Sequence, residues 1–214
     1  MSCYRNDMTF IDFQNQLSKY PVFSLQDARK VFNGFSYRQL DRWEKKGYLK
    51  KIKRGFYCFC SQQMNRDFLF YAANKIYTPS YVSLEMALKY YGLIPEEIFQ
   101  ITSVSAKKTA GFKTLIGNFS YRRIKPSLYW GYRLADFGKQ KILLAEPEKA
   151  VLDYLYINPK LKTADDFAEM RVNADEFKSQ INPARLQKYL ETFNNKALSK
   201  RVKVFLTTIQ NDSV

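Results

Sequence analysis

A dense run of positive charge lies between Ser36 and Tyr57, in the stretch SYRQLDRWEKKGYLKKIKRGFY. It contains eight lysines and arginines and only two acids. Guanidinium and ammonium groups pair with phosphate oxygens, and arginine can also hydrogen-bond the edge of a guanine base. These residue types therefore indicate contact with a polyanion, and nucleic acid is the first candidate. The alternative is an exposed helix and hairpin whose charges are simply solvated.

The charge of the whole chain supports the same interpretation. The 214 residues carry 35 Lys+Arg and 20 Asp+Glu, a net charge of +15. Residues 1–60 hold +7 of that charge, and residues 61–214 hold +8 over more than twice the length. A basic balance of this size predicts attraction to nucleic acid or, less often, to an acidic membrane surface. Its concentration at the front of the chain favours a compact nucleic-acid-binding module there.

Several kinds of chemistry are excluded by composition. The chain has no histidine, so Ser-His and Cys-His nucleophilic schemes cannot be built. Its three cysteines, Cys3, Cys58 and Cys60, are too few for a four-ligand structural zinc site or a disulfide framework. No phosphate-binding loop or dinucleotide fingerprint occurs among the scattered glycines. We therefore predict no metal and no cofactor.

The hydrophobic pattern indicates a globular protein outside the membrane. Hydrophobic residues make up 46% of the chain and aromatic residues 16%, which argues against disorder. No apolar run reaches the length of about 18 residues that a membrane span needs. The start, MSCYRNDMTF, lacks the features of a secretory signal. We expect a cytoplasmic protein.

The first sixty residues predict three helices followed by a hairpin. Apolar spacing and breakers place the helices at 9–20, 24–32 and from Ser36 to about Gly47, with Ser36 and Gln39 forming a capping box. Two short strands follow at 48–52 and 56–60, joined by the turn Lys53–Gly55. This order is typical of a winged helix-turn-helix.

The third helix explains why charge and apolar spacing occur together. Tyr37, Leu40 and Trp43 recur at a spacing of three and predict a buried stripe. The other face carries the residues that would meet a DNA groove, namely Arg38, Asp41, Arg42 and Lys45. We expect Asp41 to accept a hydrogen bond from a cytosine amino group or to orient Arg38 or Arg42.

The hairpin carries a second set of cations. Lys50, Lys51, Lys53 and Arg54 lie in its first strand and its turn. In a winged domain they would reach backbone phosphates or the adjacent minor groove.

Residues 61–214 predict a second, mixed domain. Helices are expected at 68–76 and 82–91, then strands at 98–105, 112–115, 118–124, 129–134 and 142–145, with a turn at Gly117-Asn118. Further helices are expected from Glu146 and at 164–170, 183–193 and 196–209. The chain is therefore predicted to be α+β, with a winged helix-turn-helix at 1–60 and a mixed β-sheet domain with C-terminal helices at 61–214.

The acids of the second domain allow one enzymatic alternative, a carboxylate-metal nuclease targeted by the winged domain. Its candidate residues are Asp136, Glu146 and Glu148, with Lys149 beside them. Lys149 follows Glu148 by one residue and not by two, so the usual acid-x-Lys spacing is absent. Glu146 and Glu148 also suit the first turn of a helix, where acids are stabilising without any catalytic role. We predict no catalytic residue.

A second basic cluster accompanies the predicted strands. It comprises Lys107, Lys108, Lys113, Arg122, Arg123, Lys125 and Arg133, and Lys139 and Lys141 follow it. Interleaved aromatics such as Tyr121 and Trp130 are typical of nucleic-acid contact and equally of a half-exposed sheet. We expect one sheet face that extends a DNA footprint or binds an acidic partner. A basic adaptor without DNA affinity is a third interpretation of the chain.

Three separated motifs resemble the AbiEi-type antitoxins, transcriptional regulators of type IV toxin–antitoxin systems of the abortive-infection class. SLQDARKVF…SYRQLDRWEKKGYLKKIKRGFY resembles their N-terminal winged-helix domain, including Gly47-Tyr48-Leu49 and Arg54-Gly55-Phe56-Tyr57. YVSLEMALKYYGLIP resembles the helix that follows, and AEPEKAVLDYLY resembles a helix with the Leu152-Asp153 pair. Together they cover most of the chain in the family's order.

The resemblance implies more than the residue pattern does. Members repress their own operon through the winged domain, and their C-terminal domain counters a toxin that resembles a nucleotidyltransferase. Carried over, the operator-binding set is Tyr37, Arg38, Arg42, Lys45, Lys53 and Arg54. Antitoxins of this class act without a stable toxin complex, so a direct toxin interface does not follow. Because one winged domain offers few base contacts, we expect two copies on inverted repeats in double-stranded operator DNA. A homodimer is one arrangement that supplies them.

Overall fold

The computed structural model describes residues 8–211, so Cys3 lies outside the described residues. They form α-helices and two β-sheets, which confirms the predicted α+β class. The helices are α1 Phe10–Leu17, α2 Leu25–Val31, α3 Tyr37–Lys45, α4 Arg66–Ile76, α5 Leu84–Tyr90, α6 Pro147–Ile157, α7 Ala164–Ala168, α8 Ala174–Gln180, α9 Pro183–Phe193 and α10 Lys196–Asn211. The strands are β1 Phe23–Ser24, β2 Leu49–Lys53, β3 Phe56–Phe59, β4 Tyr81–Val82, β5 Gln100–Ser105, β6 Ala110–Thr114, β7 Gly117–Arg123, β8 Tyr132–Phe137 and β9 Gln140–Ala145. None of the helices within residues 8–211 has the length and apolar character needed to cross a membrane.

Local capping defines the first two helices. The Thr9 side chain accepts from the backbone N–H of Asp12, and the Asp12 carboxylate accepts from the N–H of Thr9. Ser24 and Asp27 form the same reciprocal pair at the start of α2. Each box satisfies two backbone donors that a helix start leaves free, so both helices begin where their sequences predict.

The third helix begins and ends differently. Ser36 is its N-cap residue but makes no side-chain capping bond, so the predicted Ser36–Gln39 box is wrong. At the other end Gly47 takes a φ of +74°, which a side-chain-bearing residue adopts only with strain. The N–H of Gly47 donates to Glu44 and that of Tyr48 to Trp43, each at 2.9 Å. This termination turns the chain directly into β2.

An aromatic core holds α1 to α3 together. The ring of Phe13 lies 4.6 Å from that of Trp43 and 5.1 Å from that of Phe35, centroid to centroid. Leu40 is fully buried and Trp43 is 4% exposed. Burial of such side chains stabilises the fold by about 1.5–3 kcal/mol each, so α3 is fixed by its apolar stripe.

The small sheet, in the order β1-β3-β2, is packed on both faces. Leu49, Tyr57 and Phe59 belong to the core formed with α1 to α3. Ile52 and Cys58 belong instead to the core of the rest of the chain. Since successive side chains of a strand point to opposite faces, this sheet is the layer shared by the two cores. The predicted boundary at residue 60 therefore lies directly after a sheet that packs against the residues on both sides of the boundary.

The large sheet has six strands in the order β6-β7-β5-β4-β9-β8. Its pairs β5–β7 and β4–β9 are parallel and the others antiparallel, which confirms a mixed sheet. The Tyr121 hydroxyl donates to the Ala73 carbonyl of α4, and the Thr102 hydroxyl accepts from the Met86 N–H of α5. Tyr121 pairs with Ser103, the neighbour of Thr102, so α4 and α5 cover opposite faces.

Three expectations for the second half need correction. Val82, predicted to begin a helix, lies in strand β4, and α5 begins at Leu84. Thr114 pairs with Gly117, so the β6–β7 turn is formed by Leu115 and Ile116 and not by Gly117-Asn118. Helix α8, capped by Asn173, was not predicted. Phe177 is its one buried residue, so its sequence carries no apolar periodicity to reveal it.

Candidate nucleic-acid interface

Helix α3 has one buried and one charged face. Its residues advance by about 100° each, so Leu40 and Trp43 point inward together. Arg38, Arg42 and Lys45 are exposed on the opposite face, where the sequence predicted them. The buried pair fixes the helix while the cations remain accessible to a ligand.

Charge pairing on α3 leaves its arginines free. Asp41 pairs with Lys45 at 3.0 Å, one helical turn away, and so does not orient Arg38 or Arg42 in this structure. Within residues 8–211 neither arginine forms an ion pair or a side-chain hydrogen bond. An exposed (i, i+4) pair contributes only about 0.3–0.5 kcal/mol, so Lys45 can exchange Asp41 for another anion.

Tyr37 lies at the margin of this face. It is 46% exposed, so it is not part of the buried stripe with Leu40 and Trp43. Because it is the first residue of α3, it stands at the end of the helix that commonly contacts base edges. On the other flank, Gln39, Arg42 and Lys46 line an open groove of about 1020 Å³.

The hairpin β2–β3 distributes its cations over different surfaces. Arg54 is exposed in the turn. Lys51 pairs with Tyr57 and so lies on the α3 side of the small sheet. Lys50 pairs with Cys58 and so lies on the opposite side, half-buried. Of these cations Lys51 therefore lies on the side of α3, and Arg54 is exposed at the tip of the hairpin.

Lys53 is the main departure from the predicted site. Its ammonium donates to the carbonyl of Ile76, the last residue of α4, at 2.9 Å. It also lies 3.9 Å from the centroid of the Phe112 ring on β6. Partial burial, together with the positive charge of Lys107, lowers the pKa of the Lys53 ammonium below its ordinary value. Lys53 therefore fastens the hairpin to the second half of the protein, and the expectation that it projects towards phosphate is wrong for this structure.

The second basic cluster does not form one face. Arg122 and Arg123 are consecutive in β7, so their side chains point to opposite sides of the sheet. Lys113 pairs with Asn118 and shares the side of Arg122. Arg133 lies on β8, at the opposite edge of the sheet from β6, and donates to the Tyr91 hydroxyl at 3.3 Å. The predicted single surface is therefore divided.

The remaining members of the cluster lie in connections. Lys107 and Lys108 are exposed in the loop between β5 and β6. The Tyr77 hydroxyl donates to the Lys108 carbonyl at 2.6 Å and holds that loop next to α4. Lys125 is exposed at the start of the short 3₁₀ turn Pro126–Leu128. Only the Lys107–Lys108 loop lies beside the hairpin, because Lys107 and Lys53 both contact the Tyr77 ring.

The acids considered for a nuclease site lie apart. Asp136 pairs with Lys141 near the start of β9, whereas Glu146 follows the end of that strand, about 16 Å further on. Glu148 is buried and accepts from the Asn182 N–H at 2.7 Å. Among residues 8–211 no three Cys, Asp or Glu side chains are grouped so that they could hold a metal ion.

A buried polar network on α6 was not predicted as a unit. The Lys149 ammonium pairs with Asp153, one turn on, and donates to the Tyr81 hydroxyl at 2.9 Å. Tyr81 and Ser83 both donate to the other oxygen of Asp153, at 2.8 and 2.9 Å. Burial raises the pKa of the Asp153 carboxyl and lowers that of the Lys149 ammonium. The network joins α6 to β4 and satisfies its buried charges internally.

One signal in the sequence could have revealed this network. Lys149 and Asp153 are four residues apart in a helix whose intervening residues, Ala150 to Leu152, are all apolar. A charged pair at that spacing inside a buried helix must be satisfied internally, because an isolated buried charge is strongly unfavourable. Its partners Tyr81 and Ser83 are distant in sequence and carry no such signal.

Comparisons of the chain with models of known protein families and with curated proteins give no match. The resemblance to AbiEi-type antitoxins therefore rests on the quoted motifs. The exposed cations of α3 and of the adjoining hairpin remain the features from which a function can be inferred.

Proposed function

We propose that this protein binds double-stranded DNA through an N-terminal winged helix-turn-helix and represses its own operon. The observation that carries the proposal is the division of α3. Leu40 and Trp43 anchor the helix, while Arg38 and Arg42 are exposed and unpaired within the described residues. A helix fixed by one face, with free guanidinium groups on the other, suits insertion into a major groove.

In this mechanism α2 and α3 form the helix-turn-helix and α3 is the recognition helix. Arg38 and Arg42 would each donate two hydrogen bonds to O6 and N7 of a guanine. Lys45 would exchange Asp41 for a phosphate, or keep it and leave Asp41 to accept from a cytosine amino group. Lys51 and Arg54 of the wing would contact backbone phosphates, which position the domain without reading sequence.

Two copies on inverted repeats would give the specificity that one domain lacks. Each α3 offers two arginines for base contacts, enough for only a few base pairs. A pair of half-sites whose centres are one helical turn apart, about 34–36 Å, would double the recognised sequence. A homodimer on the operator is the simplest arrangement.

The antitoxin role is the second part of the proposal and rests on the motif resemblance. In the cytoplasm, the part of the chain after the wing would counter a toxin that resembles a nucleotidyltransferase, without a requirement for a stable complex. Co-expression of the neighbouring open reading frame with and without this protein tests the role. Growth arrest that this protein relieves supports it, and arrest that persists at equal expression overturns it.

DNA binding is tested by charge removal on α3 against a matched control. Arg38→Gln/Arg42→Gln removes two cations from the proposed recognition face. Lys200→Gln/Lys203→Gln removes two exposed cations from α10. Each arginine that reads a base is worth about 1–3 kcal/mol, so the α3 variant should bind operator DNA at least roughly thirty-fold more weakly.

Titration by fluorescence anisotropy gives both affinities. The affinity of the α10 control for operator DNA should stay within about three-fold of that of the unmodified protein. Both variants lose the same net charge, so non-specific attraction falls equally in both and any larger loss belongs to α3. Equal losses in both variants would show that only net charge matters and would overturn the assignment of α3.

A further inference from the structure

The junction between the wing and the large sheet carries a row of exposed cations that α3 does not explain. Arg54 lies in the wing turn, Lys107 and Lys108 in the β5–β6 loop, and Arg123 at the end of β7. We call these four residues the junction ridge. All four are exposed, and within residues 8–211 none of them forms an ion pair.

Specific contacts hold the members of the ridge together. Lys53, the residue before Arg54, bonds to Ile76 and lies over the Phe112 ring. The Tyr77 ring lies 5.8 Å from the Lys53 ammonium and 5.7 Å from that of Lys107. The wing turn and the β5–β6 loop are therefore packed around one aromatic side chain.

The second side of the ridge is fixed by hydrogen bonds between side-chain hydroxyls and the backbone. The Tyr77 hydroxyl donates to the Lys108 carbonyl at 2.6 Å. The backbone N–H of Arg123 donates to the Thr109 hydroxyl at 3.3 Å. The loop that carries the two lysines is thus held between α4 and the end of β7, and the ridge is an ordered surface.

The electrostatics of the ridge call for an anionic partner. Four cations without a paired acid repel one another. Beside them, burial and, as a smaller cause, the Lys107 charge lower the pKa of the Lys53 ammonium. Such a concentration of charge is relieved when closely spaced anions bind and their counterions are released. A nucleic-acid backbone supplies regularly spaced phosphates.

The location of the ridge favours the same duplex that α3 would bind. Tyr57, which pairs with Lys51 in the hairpin, lies close to Tyr37, the first residue of α3, so the strands of the wing run beside the N-terminal end of that helix. That end of a recognition helix commonly contacts base edges. A duplex held there would pass from α3 to the wing turn and on to the β5–β6 loop.

On the basis of the proposed DNA binding, we infer that the junction ridge is a second phosphate-binding surface, which extends the contact with double-stranded DNA from the wing onto the second half of the protein. Lys53 is a positioning residue in this arrangement, because it holds the wing turn beside the loop without contacting phosphate. Lys113 and Arg122, on the other side of the sheet, lie outside the surface.

The test compares the salt dependence of operator binding for two triple variants of the full chain. Lys107→Gln/Lys108→Gln/Arg123→Gln changes the ridge and leaves α3 and the wing intact. Lys113→Gln/Arg122→Gln/Lys200→Gln removes the same charge elsewhere. Each lost phosphate contact lowers the slope of log K against log salt by about 0.9, so the ridge variant should lose about 2–3 units of slope. The control should lose less than about 0.5 on the same scale.

Duplex length provides an independent readout. Binding of the unmodified protein should strengthen when the operator duplex is lengthened by one helical turn on the ridge side, and the ridge variant should not respond. Equal slopes for the two triple variants overturn the inference. That result is also expected if the ridge binds an acidic protein instead of DNA. If the unmodified protein shows no α3-dependent binding to any duplex, the proposed function fails instead. Circular dichroism melting confirms that both variants are folded.

Discussion

The most informative single substitution is Lys53→Met, because it separates an anchoring lysine from a phosphate-binding one. Methionine keeps an unbranched apolar stem over Phe112 but removes the ammonium and its bond to the Ile76 carbonyl. If Lys53 contacts phosphate, the variant should show a smaller salt dependence of DNA binding and little loss of stability. If Lys53 is an anchor, the variant should lose stability and keep nearly all of its salt dependence.

The expected loss of stability follows from two contacts. A hydrogen bond with a charged partner is worth about 1.5–3 kcal/mol, and an exposed cation–π contact about 0.5–1 kcal/mol. Lys53 is partly exposed, so solvent screens both contacts and we expect a total of about 1–2 kcal/mol. In a chain of this length such a loss lowers the melting temperature by roughly 2–8 °C.

The assay pairs thermal unfolding with DNA titrations at several salt concentrations. Arg54→Met is the matched control, because it replaces the next cation, which is exposed, with the same residue. It should melt within about 2 °C of the unmodified protein and lose about 0.9 units of salt slope. Lys53→Met should change the slope by less than about 0.3. An unchanged melting temperature with a slope reduced by about 0.9 would refute the anchoring role.

Three further predictions address the site, the core and the tyrosines. Arg42→Ala should weaken operator binding by about 1–3 kcal/mol and relax specificity at one base pair; uniform weakening over a panel of single-base operator variants would reassign it to phosphate. Gly131→Ala should cost roughly 2–4 kcal/mol in urea unfolding, since φ is +71° there and a methyl group would lie 3.0 Å from the Lys149 side chain. Gly138→Ala, at a φ of +56° with open space around it, should cost only about 1–2 kcal/mol, and equal costs would exclude the steric effect. Burial raises the pKa of Tyr71 to about 12, and raises the pKa of Tyr121 as well, from an ordinary value of 10.0. The hydroxyl protons of these tyrosines stabilise the folded state fully below pH 10 and progressively less from pH 10 to 12. Urea midpoints should therefore fall over that range, and constant midpoints would contradict the prediction.

Much of the structure of residues 8–60 could be predicted from the sequence because its signals are local. Capping residues, the apolar spacing of Leu40 and Trp43 and the stop at Gly47 all act within a few residues of one another. The two faces of α3 follow from the same spacing. The same spacing places the exposed Tyr37 in the buried stripe, because periodicity cannot show where a stripe reaches the edge of the packed surface.

The position of Lys53 could not be predicted because it depends on a strand irregularity. The register of β2 shifts between Lys51 and Lys53. Regular alternation would return Lys53 to the α3 side with Lys51, but a bulge can direct a side chain to the other face. Lys53 accordingly follows Ile52 towards the second half of the protein.

The division of the second basic cluster could not be predicted for a similar reason. A run of cations in a sequence of strands does not show which strands are neighbours or which face each side chain takes. The order β6-β7-β5-β4-β9-β8 places Arg133 and Lys113 at opposite edges of the sheet. Long-range pairing sets that order, and local residue patterns do not encode it.

The central claim is that α3 and the wing bind a specific operator. Protection of the DNA immediately upstream of the gene from nuclease cleavage, measured at about 50 and 200 mM salt, tests it most directly. The account predicts two protected segments related by inverted sequence, lost in Arg38→Gln/Arg42→Gln and retained at the higher salt with reduced occupancy. Uniform protection along the DNA, or a footprint that survives the α3 variant unchanged, would contradict it.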